Sequence, residues 1–410
     1  MKKKLLILAY EYYPTENANT RIIRNTCELL AERFDIDLVT AAAPMGTDPN
    51  GAEPMTILRV PVYSFHQEKC SGKLTPLMLG RMFYEKFRGR LEHDETRMLE
   101  RLYERGVRKA VRLAEYDAVI SFSAPILAHG CASRMVRGTK TPWLAVCFDP
   151  YFDHLIFGAE GLEARKQREE KYMEPADTVM VMFPTDRDYL QAGVAFGDKI
   201  LSFDVPGIVP QETQAAADPA ADGSRPIRCG FFGSMYREIR DPRAAIALFD
   251  EVCGDPDIET VFAGSLEGES AAAYFPEGCR VHYAGVLKGK ELAEAYDRTD
   301  VLINIGNSVL NQMPSKIFEY ISSGKPIINV FKSPDCPTLK YLTRYPLALN
   351  LFEGEITEHP AEKAAAIRAF CRETRGKRVP AEEIQSTFAA NTFEAFADTI
   401  AKWVARTGFL

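Results

Sequence analysis

The chain has 410 residues, 46% hydrophobic and 26% charged. These are the values of an ordinary soluble globular protein, and the length predicts two or three domains. A net charge of −7 argues against a general nucleic-acid binder, which carries a basic excess. The odd count of nine cysteines, with no CxxC pair, reads as reduced thiols in a cytoplasmic protein. No HExxH is present among the six histidines, so no zinc site is expected from the sequence. The opening MKKKLLILAYEYYP imitates a signal peptide, but its apolar run is short and ends at Glu11, so 5–9 reads as a first buried strand. No run is long enough to span a membrane.

In chain order, a helix is expected over 20–33, opened by Asn19 or Thr20 as N-cap, then a strand over 37–41. Strands follow at 118–122, 143–148 and 179–183, with a helix through 129–137. Residues 204–226 are rich in Pro, Ala, Gly and Asp without periodicity, and read as a linker. The alternation then restarts. Strands are expected at 228–232, 260–263, 281–284, 301–304 and 326–330, with helices at 242–252 and 290–298 and a long amphipathic helix at 391–404. Such alternation predicts an α/β chain of two Rossmann-like domains built on parallel sheets. The predicted boundaries are 1–204 and 205–386, with the C-terminal helix in 387–410 packing back on the first domain. Ligands of such folds bind at the carboxyl ends of strands, which sets the expectation of a cleft between the domains.

The densest chemistry lies in 307–330, NSVLNQMPSKIFEYISSGKPIINV. Pro314 suits the first turn of a helix and Gly324 the residue past its end. A helix start attracts anions, Lys316 adds charge, and Glu319 suits sugar hydroxyls. Each residue taken alone reads as ordinary helix surface. The motif GFFGSMY at 230–236 follows a strand, and Gly233 permits close backbone approach to a ligand, with Ser234 and Tyr236 beside it. Arg237 and Arg240 suit phosphate oxygens in fork geometry, although a plain strand-helix turn with solvated arginines fits equally. Gly264-Ser265 and Gly285-Val286 end two more strands and are candidates for a nucleotide base.

In the first half, Asp149 sits where a strand ends. It reads either as an Asx-Pro turn or as a base toward an acceptor hydroxyl. The polar loop 11–20 admits a capping or a ligand role. Residues 73–90 mix basic and apolar side chains, and read either as a packed helix or as a peripheral contact with an anionic membrane.

The motifs PSKIFEYISSGKPI (314–327), GFFGSMYREIRDP (230–242), YAGVLKGKELAEAYDRTDVLIN (283–304) and EPADTVMVMFPTDRDYL (174–190) resemble the GT-B fold glycosyltransferases of group 1 (family 4), a retaining branch that builds bacterial polysaccharides. The likeness covers most of the chain and is most specific in the second half. It implies transfer of a sugar from a nucleoside-diphosphate sugar to a hydroxyl acceptor, saccharide or lipid-linked, in the cytoplasm or at the inner face of the membrane. The donor is then a substrate and no cofactor or metal is required. Glu319 matches the family's ribose-binding glutamate, and Lys316 and Arg240 its diphosphate cations. The family's first glutamate falls on Asn311, and Ser315 lies at the helix start. Its glycine-rich turn after the first strand is replaced by YPTENANT, and His154 is offset from the family's usual histidine, leaving Asp149 as the acceptor-side candidate. Two rivals share the fold: a nucleotide-sugar 2-epimerase, and a non-catalytic transferase-like partner subunit, which the substitution at 311 supports.

Overall fold

The structure is a computed structural model and describes residues 2–15, 17–41, 54–60, 92–123, 125–153, 161–209, 225–267 and 270–407. The basic segment 73–90, His154 and residues 210–224 of the predicted linker lie outside these residues. The chain divides into two compact units, Met1–Pro206 with Phe393–Leu410, and Gly207–Thr392.

Unit 1 holds strands β1 (Lys4–Ala9), β2 (Asp35–Ala41), β3 (Thr56–Val60), β4 (Ala118–Phe122), β5 (Trp143–Cys147), β6 (Thr178–Met182) and β7 (Ile200–Phe203). Their order is β3-β2-β1-β4-β5-β6-β7, and every pairing is parallel. β1 and β4 are buried almost throughout, as parallel strands covered on both faces must be. The connecting helices are α1 (Ala18–Ala31), α2 (Glu92–Ala110), α3 (Leu127–Val136), α4 (Leu162–Met173) and α5 (Thr185–Gln191).

The N-cap of α1 is Asn17, not Asn19 or Thr20. Thr20 sits at N3, where its amide donates to Asn17 Oδ1 (2.9 Å) while the Asn17 amide donates to Thr20 Oγ1 (3.0 Å). That reciprocal box satisfies two of the helix's orphan donors at once, which Asn19 or Thr20 alone at the cap would not. The lysines at the chain start are also in use. Lys2 Nζ donates to the Ala31 carbonyl and Lys3 Nζ to the Val404 carbonyl, both near helix ends, while Lys4 pairs with Asp37. The helix Phe393–Thr407 belongs to unit 1, with Phe396 stacked on Phe203 and Trp403 Nε1 donating to Thr178 Oγ1.

Unit 2 repeats the plan. Strands β8 (Ile227–Phe232), β10 (Ile258–Ala263), β12 (His282–Tyr283), β13 (Val301–Ile305), β14 (Ile327–Phe331) and β15 (Ala348–Phe352) form a sheet of order β12-β10-β8-β13-β14-β15, parallel throughout. A small pair, β9 (Met235–Tyr236) and β11 (Leu266–Glu267), extends beyond the ends of β8 and β10. Helices α6 (Arg243–Val252), α7 (Gly289–Asp297), α8 (Lys316–Ser322) and α9 (Pro360–Glu373) are those the site uses or packs on. Each sheet runs 3-2-1-4-5-6 in its own count, with β7 added at the edge in unit 1. These are the two Rossmann-like sheets expected from the sequence. Among the described residues no helix is long and apolar enough to cross a membrane.

Candidate functional site

In a doubly wound sheet the strand order reverses beside the first strand, and the loops there splay apart. In unit 2 that point lies between β8 and β13, so the loops that begin at Gly233 and Gly306 flank it. Arg240 bridges those loops. Its Nε donates to Asn307 Oδ1 (3.0 Å) and one Nη to the Ser234 carbonyl (3.4 Å). A backbone pair closes the turn that presents it: the Tyr236 amide donates to the Arg240 carbonyl and the Arg240 amide to the Tyr236 carbonyl. The Ser308 amide adds a third link, to the Ile239 carbonyl.

An arginine remains cationic at any working pH. Burial nonetheless pulls the Arg240 guanidinium below its ordinary value, against the nearby Tyr320 and Tyr236 phenols, which raise it. No carboxylate forms an ion pair with it among the described residues, and the adjacent Asp241 turns to Arg243 instead. A half-buried cation held only by an amide oxygen and a carbonyl is short of the anion that would offset its lost hydration. Arg237, the other arginine singled out in the sequence, is exposed.

The glycines explain how the loops close up. Gly264 has φ +150, and a Cβ on it would lie 1.8 Å from the Gly233 carbonyl oxygen. The Gly233 amide donates to the Ala263 carbonyl and the Gly264 amide to the Gly285 carbonyl, while Ser265 Oγ donates to Ser234 Oγ (2.8 Å). The ends of β8, β10 and β12 are thus laced into one polar rim, with Ser234 and Gly233 at its centre.

Asn307 joins this rim to the 307–330 motif, because its Nδ2 donates to the Gln312 carbonyl (3.1 Å). The loop then passes half-buried Asn311 to the start of α8. Pro314 precedes the N-cap, Ser315, rather than lying in the first turn of the helix. The Ile317 amide bonds back to the Pro314 carbonyl, so the helix opens with a tight turn that uses the proline's acceptor. Lys316 and Glu319, one turn apart and each more than a third exposed, pair with each other at 3.6 Å. Such a pair is worth little in water and leaves both groups accessible to a ligand. Tyr320 anchors the helix: its hydroxyl donates to the Phe232 carbonyl and accepts from the Phe232 amide, both at 3.3 Å. Gly324 ends the helix at φ +70. Buried Lys325 donates to the carbonyls of Tyr296 (2.5 Å), Asp297 (3.2 Å) and Thr299 (2.7 Å), closing the negative end of α7.

The structure therefore brings together Gly233, Ser234, Tyr236 and Arg240, and ties them through Asn307 to the loop that carries Asn311 and leads to Ser315, Lys316 and Glu319. Asn307 and Tyr320 were given no role from the sequence, whereas Ser265 was expected at a nucleotide base and is found bonded to Ser234. Asn307 carried a readable signal, standing two residues past a buried strand where such folds place ligand contacts.

In unit 1, Asp149 lies two residues beyond β5. The preceding Phe148 is fixed on both sides. Its amide donates to Ser123 Oγ (3.0 Å) and its carbonyl accepts from Thr185 Oγ1 (3.4 Å). Nearby His129 is fully enclosed between Ser121 Oγ (2.7 Å) and Cys147 Sγ (3.6 Å), and burial holds its ring down to about 3. It is a neutral core histidine.

Two doubly wound parallel units along one chain define the GT-B fold. Among solved structures the chain is similar to sucrose-phosphate synthase from Thermosynechococcus elongatus, at 14% identity over 99% of both chains and a TM-score of 0.60. It is also similar to Anabaena HepE in complex with UDP, at 12% identity over 99% of this chain and 100% of that one, TM-score 0.59. A third likeness is to WaaG, a glycosyltransferase involved in lipopolysaccharide biosynthesis, at 13% identity over 97% and 99% of the two chains, TM-score 0.56. At these identities the likeness is one of fold. No protein-family model and no curated protein matches the sequence.

Proposed function

We propose that this chain is a glycosyltransferase that moves a sugar from a nucleoside-diphosphate sugar to a hydroxyl of a saccharide or lipid-linked acceptor, in surface polysaccharide or glycoconjugate synthesis. The observation that carries the reading is Arg240, a half-buried cation at the strand-order reversal of unit 2 that has no anionic partner among the described residues. A diphosphate supplies the missing charge. The solved HepE structure, which shares the fold, holds UDP.

In this reading Arg240 and Lys316 bind the diphosphate, Glu319 accepts hydrogen bonds from the ribose hydroxyls, and Gly233, Ser234, Tyr236, Asn311 and Ser315 line the donor site. The bond between the anomeric carbon and the phosphate oxygen breaks, and its electron pair leaves with the nucleoside diphosphate. Charge builds on that leaving group as the sugar becomes oxocarbenium-like, and the two cations offset it where it develops. The acceptor oxygen bonds to the anomeric carbon, and its proton passes to a base, to which we assign Asp149. The donor is a substrate, and the reading invokes no cofactor. The resemblance of the 314–327 motif to a retaining branch favours retention at the anomeric carbon.

The test is a thermal-shift panel of nucleoside diphosphates followed by turnover assays with UDP- and GDP-sugars. A ligand that binds only the native state raises its stability by mass action. Arg240→Gln should weaken donor binding about tenfold to hundredfold, the worth of a charge-assisted hydrogen bond. Lys316→Ala and Glu319→Ala should each weaken it further from wild type. If the wild-type chain neither binds nor consumes any nucleotide sugar, the proposal fails.

A further inference from the structure

The loop after β5 carries Asp149, and α4 grips that loop with three side chains from two successive turns, Arg165, Arg168 and Glu169. Glu169 lies fully buried. Its Oε2 accepts from the Phe152 amide (3.0 Å) and its Oε1 from the Tyr151 amide (3.4 Å) and the Tyr189 hydroxyl (2.5 Å). Arg165, also buried, donates from Nε to the Phe152 carbonyl (3.0 Å). Arg168 donates to the Tyr151 hydroxyl (3.2 Å) and to Glu100 (2.6 Å). On the other side, Ser123 and Thr185 hold the amide and carbonyl of Phe148. Asp149 and Pro150 are therefore suspended between two fixed points, Phe148 and Tyr151–Phe152.

A buried carboxylate is expensive, and the helix face that holds this one could have been apolar at no cost to packing. Its two oxygens are instead spent on consecutive backbone amides of a loop. We infer that Glu169 is a positioning residue, which fixes the loop of Asp149 so that its carboxylate meets the acceptor hydroxyl in one geometry. This rests on the assignment of Asp149 as the acceptor-side base. Only the ionised carboxylate accepts from both amides and the phenol without presenting a proton to one of them. Burial raises the Glu169 carboxyl to about 7, while the Tyr189 hydroxyl and the two amides pull it down. The groups around it are Tyr189 from α5, Cys147 from β5, Arg165 and Glu170 from its own helix, and Tyr151 in the loop. The grip on the loop should therefore strengthen as pH rises through neutrality.

The experiment compares the full chain with Glu169→Gln and Tyr189→Phe by amide hydrogen exchange over 148–153 and by donor and acceptor kinetics from pH 5.5 to 8.5. In Glu169→Gln a single carboxamide oxygen cannot serve both amides. Exchange at Tyr151 and Phe152 should accelerate about tenfold or more, the loss of a charge-assisted bond. The kcat should fall up to about 100-fold, as expected for a displaced catalytic group, with donor KM unchanged. The rise of kcat through neutral pH should vanish in this variant. Tyr189→Phe keeps the ring packing but removes a donor to the carboxylate, so that limb should move to higher pH.

Turnover with exchange or kcat unchanged in Glu169→Gln removes the positioning role, as does a pH limb that persists in it. Absence of turnover in the wild type, with Tyr151 and Phe152 well protected, removes the base assignment and leaves a structural clamp only. The two failures are thus told apart by the exchange data.

Discussion

Gly324 is constrained twice. Its φ of +70 lies in the left-handed region, and a Cβ would come within 2.6 Å of the Val379 carbonyl oxygen. Its own carbonyl accepts from the Val379 amide (2.9 Å), so the Val379 segment cannot withdraw without breaking that bond. Gly138 offers an internal control, with φ +78 and nothing within 4 Å of its missing Cβ. Gly138→Ala should destabilise unit 1 by about 1–2 kcal/mol, the cost of the left-handed conformation alone. Gly324→Ala should cost unit 2 more, about 2–4 kcal/mol, because a backbone contact must also shift. Urea unfolding followed by circular dichroism measures both, and equal losses would sink the argument. The helix stop at Gly324 was legible in the sequence, because left-handed helix ends select glycine. The close approach of Val379 was not, since nothing local announces a contact across 55 positions. Arg240 shows the same division. Its residue type and its place after a strand pointed to phosphate, but that a carboxamide rather than a carboxylate would hold it had no local signature.

At the scale of elements, three asparagines cross the sheet of unit 2 in register, Asn304 on β13, Asn329 on β14 and Asn350 on β15. Asn304 Nδ2 donates to Asn329 Oδ1 (2.7 Å), Asn329 Nδ2 to Asn350 Oδ1 (2.8 Å), and Asn350 Nδ2 to the Leu342 carbonyl (3.2 Å). A buried polar ladder fixes register, because a slip by one residue would orphan every amide in it. Asn329→Leu leaves a donor and an acceptor unpaired and should cost about 2–5 kcal/mol. Asn304→Leu combined with Asn329→Leu removes one orphan and should be less destabilised than the sum of the single variants, measured as a double-mutant cycle. Simple additivity would show that the ladder carries no coupling. The sequence announced β14 by its apolar neighbours. It did not announce β7 or β15: β7 has half its residues exposed, and β15 lacks any β-branched residue. α4 was hidden for a different reason. The residues it buries at helical spacing are Arg165, Glu169 and Met173, so its inward stripe is charged and no apolar period marks it.

At the scale of the whole molecule, the alternation of apolar runs and helical segments was enough to give two parallel sheets, because that pattern reflects burial on both faces of each strand. What alternation does not show is how buried ionisable groups offset one another inside a unit. In unit 1 two such groups have opposite signs. Glu169 rises from 4.5 to about 7 on burial, so its contribution to stability is complete below pH 4.5 and is lost as pH rises through 7. His129 falls from 6.5 to about 3 on burial, so its contribution is complete above pH 6.5 and is lost as pH falls toward 3. Between pH 4.5 and 6.5 each group changes stability by about 1.4 kcal/mol per pH unit, in opposite directions. Their slopes cancel there, and unit 1 should be nearly insensitive to both. Glu169→Gln removes one side of the balance, so the variant should lose about 2–3 kcal/mol relative to wild type on going from pH 6.5 to 4.5. The chain has two tryptophans, Trp143 and Trp403, and both belong to unit 1. Denaturant unfolding followed by tryptophan fluorescence therefore reads this unit without labelling. The comparison of the two chains at pH 4.5, 5.5 and 6.5 cancels every other titrating group. Parallel stability curves for wild type and variant would show that Glu169 does not bind its proton in the folded state over this range.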